Sequence, residues 1–217
     1  MNRNLLLVGS AVVLGMAFFA GTLMYITGKA QQPAQVVERK QAGLVQFYSP
    51  TLGNPEAKVH IVEFLDPACE TCASFYPHVK QIMAANPDKV RLTLRLVPFH
   101  NGSDYVVRVL EAARKQGKFW PALEALLANQ SYWTRNHTVQ AGSVWKPLES
   151  LGLNMEQMKV DMNAPEVAQR IEQELKDAKT LKVTQTPEFF VNGRPLPSFG
   201  LEQLQTLVRD EMQAAYR

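Results

Sequence analysis

The feature that most constrains this chain is a pair of cysteines, two residues apart, between two different hydrophobic patterns. Cys69 and Cys72 are the only cysteines in the sequence. An alternating apolar run over residues 59–65 precedes them and predicts a β-strand, and helical spacing of apolar residues follows them to residue 83. A dithiol between a strand and a helix favours redox cycling between thiols and disulfide over a structural crosslink.

Composition limits the classes of protein that the chain can belong to. Its net charge is +3 over 217 residues, and the basic residues lie among acidic ones. This distribution is typical of a solvated surface, so we expect no binding of nucleic acid. Two cysteines cannot form a disulfide-rich scaffold, so the fold must depend on a conventional hydrophobic core.

The N-terminus predicts a membrane segment. Residues 5–27 carry no charged side chain, with Arg3 before them and Lys29 after them. This run is long enough to cross a bilayer as a helix, so we interpret residues 1–28 as a membrane anchor. A cleaved signal peptide is the alternative, although its apolar region is usually shorter and residues 28–30 offer a poor cleavage site.

A tether and an exported domain follow this segment. Residues 29–42 have little apolar content and read as a linker. With Arg3 retained in the cytoplasm, the chain would be a single-pass protein of the cytoplasmic membrane, and its domain would face the periplasm or the cell exterior. In an oxidising compartment, a lone dithiol without structural disulfides is typical of a catalytic pair.

Residues 43–217 predict a mixed α/β domain. A short first strand is expected at residues 45–48 and an alternating, half-buried strand at residues 90–97. The strand at residues 59–65, the helix after the cysteines and the strand at residues 90–97 follow one another along the chain. This order predicts a parallel β–α–β unit with a right-handed crossover.

A helical block then interrupts the sheet. Residues 103–182 repeat with helical spacing and contain about four helical segments. The sheet resumes at residues 188–196, where Asn192-Gly193 between apolar residues predicts an antiparallel hairpin. A final helix is expected after Gly200. We therefore interpret residues 103–182 as an insertion between two parts of one sheet.

The two cysteines are not equivalent in this arrangement. At the start of a helix, Cys69 would meet unpaired backbone N–H groups and the positive end of the helix dipole, both of which lower a thiol pKa. Cys72 lies one turn further on and would be more buried, which suits it to resolve a mixed disulfide. Zinc or copper binding is an alternative use of the pair. However, two cysteines supply only two ligands, and the four histidines show no metal-binding spacing.

The ordered motifs resemble the DsbA-like branch of the thioredoxin superfamily over residues 43–217. The resemblance is carried by Glu63-Phe64-Leu65-Asp66, the CxxC motif, the helical insertion with residues 116–120, and residues 183–193, which include Thr186-Pro187. It implies a thioredoxin fold with a helical insertion. It also implies a cis proline at Pro187 against the dithiol, and a backbone at Thr186 that pairs with an incoming peptide as an added strand.

The resemblance also implies a role for Glu63, six residues before Cys69. The matching position in thioredoxin-like proteins is a buried acid that assists proton transfer to the resolving cysteine. Its place on an otherwise apolar strand face supports this independently, because burial would raise its pKa. A carboxylate at the edge of the sheet is the alternative.

The residues between the cysteines depart from the family pattern. Strongly oxidising members carry Pro-His there, whereas this chain has Glu70-Thr71. A carboxylate beside Cys69 should raise the thiol pKa and make the disulfide less oxidising, so both residues are candidates for redox tuning. Thr186 before the proline resembles isomerases, yet residues 29–42 leave little room for the dimerisation module that isomerases carry.

We therefore expect a thiol:disulfide oxidoreductase that acts on exported proteins through Cys69 and Cys72, with its direction open. The chemistry requires no organic cofactor. It does require a redox partner, expected in the membrane, because the pair must be reset in each cycle. A membrane-anchored metal-binding or adaptor module that uses the dithiol as a ligand is the alternative.

Overall fold

The computed structural model describes residues 43–217, with a five-stranded sheet at the centre. The predicted membrane anchor and linker lie outside the described residues. In chain order the elements are β1 (Thr51–Leu52), β2 (Val59–Leu65), α1 (Glu70–Ala85), β3 (Val90–Leu96), α2 (Ser103–Lys115), α3 (Phe119–Ala128), α4 (Gln130–Trp133), β4 (Thr134–Arg135), β5 (Thr138–Val139), α5 (Met155–Asp161), α6 (Pro165–Leu181), β6 (Glu188–Val191), β7 (Arg194–Pro195) and α7 (Leu201–Ala215). Within the described part, no helix is both long and apolar enough to cross a membrane.

The sheet confirms the predicted thioredoxin fold. Its strand order is β1-β3-β2-β6-β7, with β2 and β3 parallel and the other neighbours antiparallel. Helix α1 connects β2 to β3, as the strand–helix–strand pattern predicts. The hairpin between β6 and β7 turns at Asn192 and Gly193, whose φ angles of 47° and 80° are both in the left-handed region. Two successive left-handed residues are typical of the tight hairpin turns that follow the twist of a sheet.

Strand β2 is central and is buried on both faces. Val59 and Ile61 point into the larger of two core clusters, which α1, α2 and α7 also line. Val62 and Phe64 point into the second cluster, together with Ala178 of α6. The alternation of the strand therefore separates two apolar cores, and the dithiol follows directly from its end.

The predicted helical insertion lies between β3 and β6. Helices α2 to α6 form it, together with two short 3₁₀ segments at Ala141–Ser143 and Lys146–Leu151. It also contains the small antiparallel hairpin of β4 and β5, which the sequence did not predict. Strands of two residues are too short for an alternating pattern to show.

Two predictions about strands are wrong. Residues 45–48 form a turn, because Ser49 N–H donates to the carbonyl of Gln46 at 2.9 Å and Ser49 Oγ accepts from Gln46 N–H at 3.1 Å. The first strand is instead Thr51–Leu52. Strand β3 is not half-buried, because α6 covers its second face and buries Arg95 completely.

Candidate active site

The junction of β2 and α1 places Cys69 at the N-cap of the helix. Its backbone is extended, and the N–H of Cys72 donates to its Sγ at 3.4 Å. Cys69 is 4% exposed and Cys72 is fully buried, and both are free thiols in this structure. The local sequence therefore produces a thiol at the start of a helix and a second, more enclosed thiol one turn later.

The surroundings lower the pKa of Cys69 to about 6. A side-chain hydrogen bond with Cys72 is the largest cause. Burial opposes it, whereas Thr186, the backbone N–H of Cys72 and the charge of His100 lower the pKa further. Cys69 is therefore largely a thiolate at neutral pH, which is the nucleophilic form of the side chain.

The pKa of Cys72 moves in the opposite direction. Burial raises it most, and the side-chain hydrogen bond with Cys69 and the negative charge of Glu63 raise it further. At neutral pH the site therefore pairs one thiolate with one thiol. This difference allows Cys69 to attack a disulfide, while Cys72 stays protonated until a mixed disulfide has formed.

Thr186 and Pro187 lie against the dithiol, although they are far from it in sequence. The Thr186–Pro187 peptide bond is cis, as the family resemblance implies. The thiol of Cys69 donates to the carbonyl of Thr186 at 3.2 Å. The buried hydroxyl of Thr186 has no hydrogen-bond partner among the described residues, so it is available to donate to a Cys69 thiolate.

Glu63 is fully buried in the central strand, so the alternative of a carboxylate at the sheet edge is wrong. It lies opposite Leu94 on β3 and Phe189 on β6. Neither carboxyl oxygen has a hydrogen-bond partner in the described part of the chain. Burial, with a further contribution from the charge of Cys69, raises the pKa of Glu63 to about 8. Such a carboxyl group can accept or release a proton near neutral pH.

Glu70 and Thr71 lie in the first turn of α1 with exposed side chains. The main causes of the lowered Cys69 pKa do not include Glu70. Solvent screens an exposed carboxylate, which weakens its effect on a neighbouring thiolate. Redox tuning by these two residues therefore stays a prediction.

Asp66 and His100 form a part of the site that the sequence did not reveal. The fully buried carboxylate of Asp66 accepts from His100 Nδ1 at 2.6 Å and from the backbone N–H groups of Ala68, Phe99 and His100 at 2.7–2.8 Å. Ser103 Oγ also donates to it. An aspartate at a strand end was visible in the sequence, but Phe99, His100 and Ser103 lie more than 30 residues away, beyond any local pattern.

Metal binding gains no support from the described residues. Residues 43–217 contain no group of three or more His, Cys, Asp or Glu side chains that could hold a metal ion. Two thiolates alone leave a zinc site two ligands short. The geometry instead fits thiol chemistry, with a reactive thiol, a protected thiol and a buried carboxyl group within electrostatic reach of both.

A thiol at a helix N-terminus, beside a cis proline and at the end of the central strand of a five-stranded sheet, is the arrangement of the thioredoxin fold. Residues 46–210 match the family model described as "Thioredoxin", and the chain belongs to this family. The crystal structure of a thioredoxin-like oxidoreductase from Silicibacter pomeroyi DSS-3 superimposes with a TM-score of 0.67 at 33% identity. That match covers 80% of this chain and 95% of the other.

Two curated relatives match over different extents. The probable disulfide bond formation protein D of Bacillus cereus is 26% identical over 203 residues, which cover 88% of this chain and 90% of that protein. The Na⁺/H⁺ antiporter NhaA of Herminiimonas arsenicoxydans is 32% identical over 144 residues, 66% of this chain. This chain spans only 22% of the length of that antiporter.

Proposed function

We propose that the protein exchanges disulfides with exported proteins through Cys69 and Cys72. The observation that carries this proposal is the opposite shift of the two thiol pKa values within one helical turn. The Cys69 thiolate attacks one sulfur of a substrate disulfide and forms a mixed disulfide, and a substrate thiolate leaves. Cys72 then loses its proton and attacks Sγ of Cys69, which releases the second substrate thiol. Two electrons pass from the dithiol to the substrate, and substrate oxidation follows the same steps in reverse.

The neighbouring residues have separate roles in this reaction. Glu63 in its ionised form, a minor fraction at neutral pH because its pKa is about 8, accepts the proton that Cys72 loses. Neither of its oxygens has a competing hydrogen bond among the described residues. The backbone of Thr186 pairs with the substrate peptide, and Pro187 shapes the groove beside Cys69. Glu70 and Thr71 tune the redox potential from the exposed first turn of α1.

We also propose that residues 1–28 anchor the domain to the cytoplasmic membrane through the linker at residues 29–42. The uncharged run at residues 5–27 supports an exported position. A redox partner in the same membrane would reset the dithiol. Mass spectrometry of the protein from membrane fractions tests the anchor: an intact N-terminus is expected, and a mature chain that begins near Gln31 would contradict it.

Insulin-disulfide reduction in a dithiothreitol assay tests the chemistry. We expect Cys69→Ser to abolish activity, because it removes the attacking thiolate. In a separate incubation with insulin and without dithiothreitol, we expect Cys72→Ser to trap a mixed disulfide that remains visible on a non-reducing gel. Thr180→Ala, which removes an exposed hydroxyl on α6, is the control and should keep full activity. Wild-type activity in the Cys69→Ser variant would contradict the proposal. It would also be contradicted if the native protein showed no exchange activity and Cys69→Ser reduced its affinity for zinc or copper.

A further inference from the structure

Gln130 connects the helical insertion to the loop that carries Cys69. Its side chain is buried, and its Nε2 donates to the carbonyl of Pro67 at 2.7 Å and to the carbonyl of Cys69 at 3.0 Å. An amide nitrogen carries two N–H groups, so both are used in these contacts. The donor and the acceptors are 61 and 63 residues apart in sequence.

A buried hydrogen bond attaches α4, the short helix that carries Gln130, to α3. Helix α4 follows α3 directly, and the fully buried Trp133 donates its indole N–H to the carbonyl of Leu126 on α3 at 2.9 Å. This bond fixes the corner between the two helices, which places Gln130 against the end of β2. The buried Gln130 side chain reaches the loop from this corner.

Asp66 also holds this loop. Its Oδ1 accepts from Ala68 N–H at 2.8 Å, and its carbonyl accepts from Cys69 N–H at 3.0 Å. Asp66 thus binds the N–H groups of the loop, and Gln130 binds the carbonyls. Hydrogen bonds with Asp66 and Gln130 therefore hold both donors and acceptors of the backbone at residues 67–69, beside the contact in which Cys69 Sγ accepts from Cys72 N–H.

We infer that Gln130 is a positioning residue that keeps the Cys69 thiolate stable by holding the carbonyls of Pro67 and Cys69. The helical insertion is then part of the active site and sets the reactivity of the attacking sulfur. This inference rests on the proposed function for its biological meaning, but the reactivity of Cys69 can be measured without any protein substrate.

The test compares Gln130→Met with the unmodified full-length protein. Methionine keeps a similar volume but removes both N–H groups, so the loop is released while the packing is retained. We expect the pKa of Cys69, followed by thiolate absorbance and by the pH dependence of iodoacetamide alkylation, to rise. At a pH below the native pKa, the thiolate population should fall about tenfold, the equivalent of one net hydrogen bond. At a pH above the Cys69 pKa values of both proteins, the redox potential should become more negative by about 30 mV for that tenfold factor.

Gln116→Met is the matched control. Gln116 bridges two elements of the same insertion by donating to the carbonyl of Asn154 at 3.1 Å and accepting from Asn154 N–H at 2.9 Å. The variant also loses two bonds between a glutamine side chain and the backbone, but away from the dithiol. We expect its Cys69 pKa and redox potential to equal those of the native protein.

Three results separate the possibilities. A folded Gln130→Met variant with an unchanged Cys69 pKa would overturn the inference and leave Gln130 with a structural role only. If Gln130→Met does not fold, Gln130→Asn replaces it. The shorter side chain adds no charge but cannot reach both carbonyls, so the Cys69 pKa should again rise, and an unchanged pKa would overturn the inference. A raised Cys69 pKa in either variant supports the inference. If the native protein does not reduce insulin, that result overturns the proposed function but leaves the inference about Gln130 standing.

Discussion

Glu63 is a buried carboxyl group without a hydrogen-bond partner in the described part of the chain. Leaving a buried polar group unsatisfied costs about 1–3 kcal/mol, so this residue weakens the fold in its present position. Groups that combine burial with a strongly shifted pKa concentrate at functional sites. Proton transfer to and from Cys72 is a role that requires such a group, since its pKa of about 8 lies near the working pH.

The raised pKa of Glu63 should make the stability of the protein depend on pH. Because the pKa of Glu63 is raised from 4.5 to about 8, the folded protein binds more protons than the unfolded chain between these values. The free energy of unfolding should therefore fall as pH rises through that window. Glu63→Gln removes the titration, so between pH 5 and pH 8 the variant should gain on the order of 3 kcal/mol relative to the native protein.

Urea unfolding of both reduced proteins at the two pH values measures this difference. Glu172→Gln is the control, because it makes the same chemical change on an exposed position of α6 and should leave the pH dependence as it is. Equal pH dependence in the native protein and in Glu63→Gln would show that Glu63 is already ionised in the fold. Insulin reduction by Glu63→Gln should also slow by about 100-fold if the carboxyl group moves the proton.

At the scale of secondary structure, Arg95 joins three parts of the fold. Its fully buried guanidinium on β3 binds Glu174 at 2.7 Å and Asp177 at 2.6 Å, both on α6. It also donates to the carbonyls of Gly43 and Leu44 at 2.9 and 2.7 Å. The last helix of the insertion and the start of the described chain are thus attached to the same side of the sheet.

The second prediction follows from this connection. Arg95→Met would leave two carboxylates without their buried counter-charge, and we expect a loss of about 3–5 kcal/mol in the free energy of unfolding. Lys146→Met, which breaks an exposed ion pair with Glu149, should cause no measurable loss. Both values come from chemical denaturation at neutral pH. If both variants lost a similarly small free energy of unfolding, solvent would have to reach Arg95, Glu174 and Asp177 in the folded protein.

These examples also show how far sequence patterns extend. Strand β2, helix α1 and the Asn192-Gly193 turn were predictable because each depends on residues that are neighbours in the chain. The buried state of Arg95 was not, because alternation in β3 indicates a polar face, and only packing of α6 covers it. Gln130 lies in a helix of four residues, too short for a periodic signal, and its partners lie across the fold.

For the molecule as a whole, the redox potential decides the direction of exchange. A lower pKa of the attacking thiol stabilises the reduced form and makes the disulfide more oxidising. The pKa of Cys69, about 6, lies between the value of about 3.5 found in strong periplasmic oxidants and about 7 in thioredoxin. The potential is therefore expected between about −120 and −270 mV, the values of those two classes.

The pH dependence of this potential gives the third prediction. Below the pKa of Cys69, reduction takes up two protons with two electrons, so the potential should fall by about 59 mV per pH unit. Above it, only one proton is taken up and the slope should halve to about 30 mV. The break is expected near pH 6, where the Cys69 thiol ionises. Equilibration with glutathione buffers over this range measures both slopes, and a single slope to pH 8 would mean that Cys69 stays protonated.

Glu70→Gln extends the same measurement to the residues between the cysteines. Removing a carboxylate beside Cys69 favours the thiolate, so the break should move to lower pH and the potential should rise. The side chain of Glu70 is exposed, and solvent screening should hold the rise below about 30 mV. Thr71→Val, which changes the other intervening residue without changing charge, should leave the break near pH 6. A potential of about −120 mV in the unmodified protein would instead show that Glu70 does not restrain it, and would assign the protein to the strong oxidants.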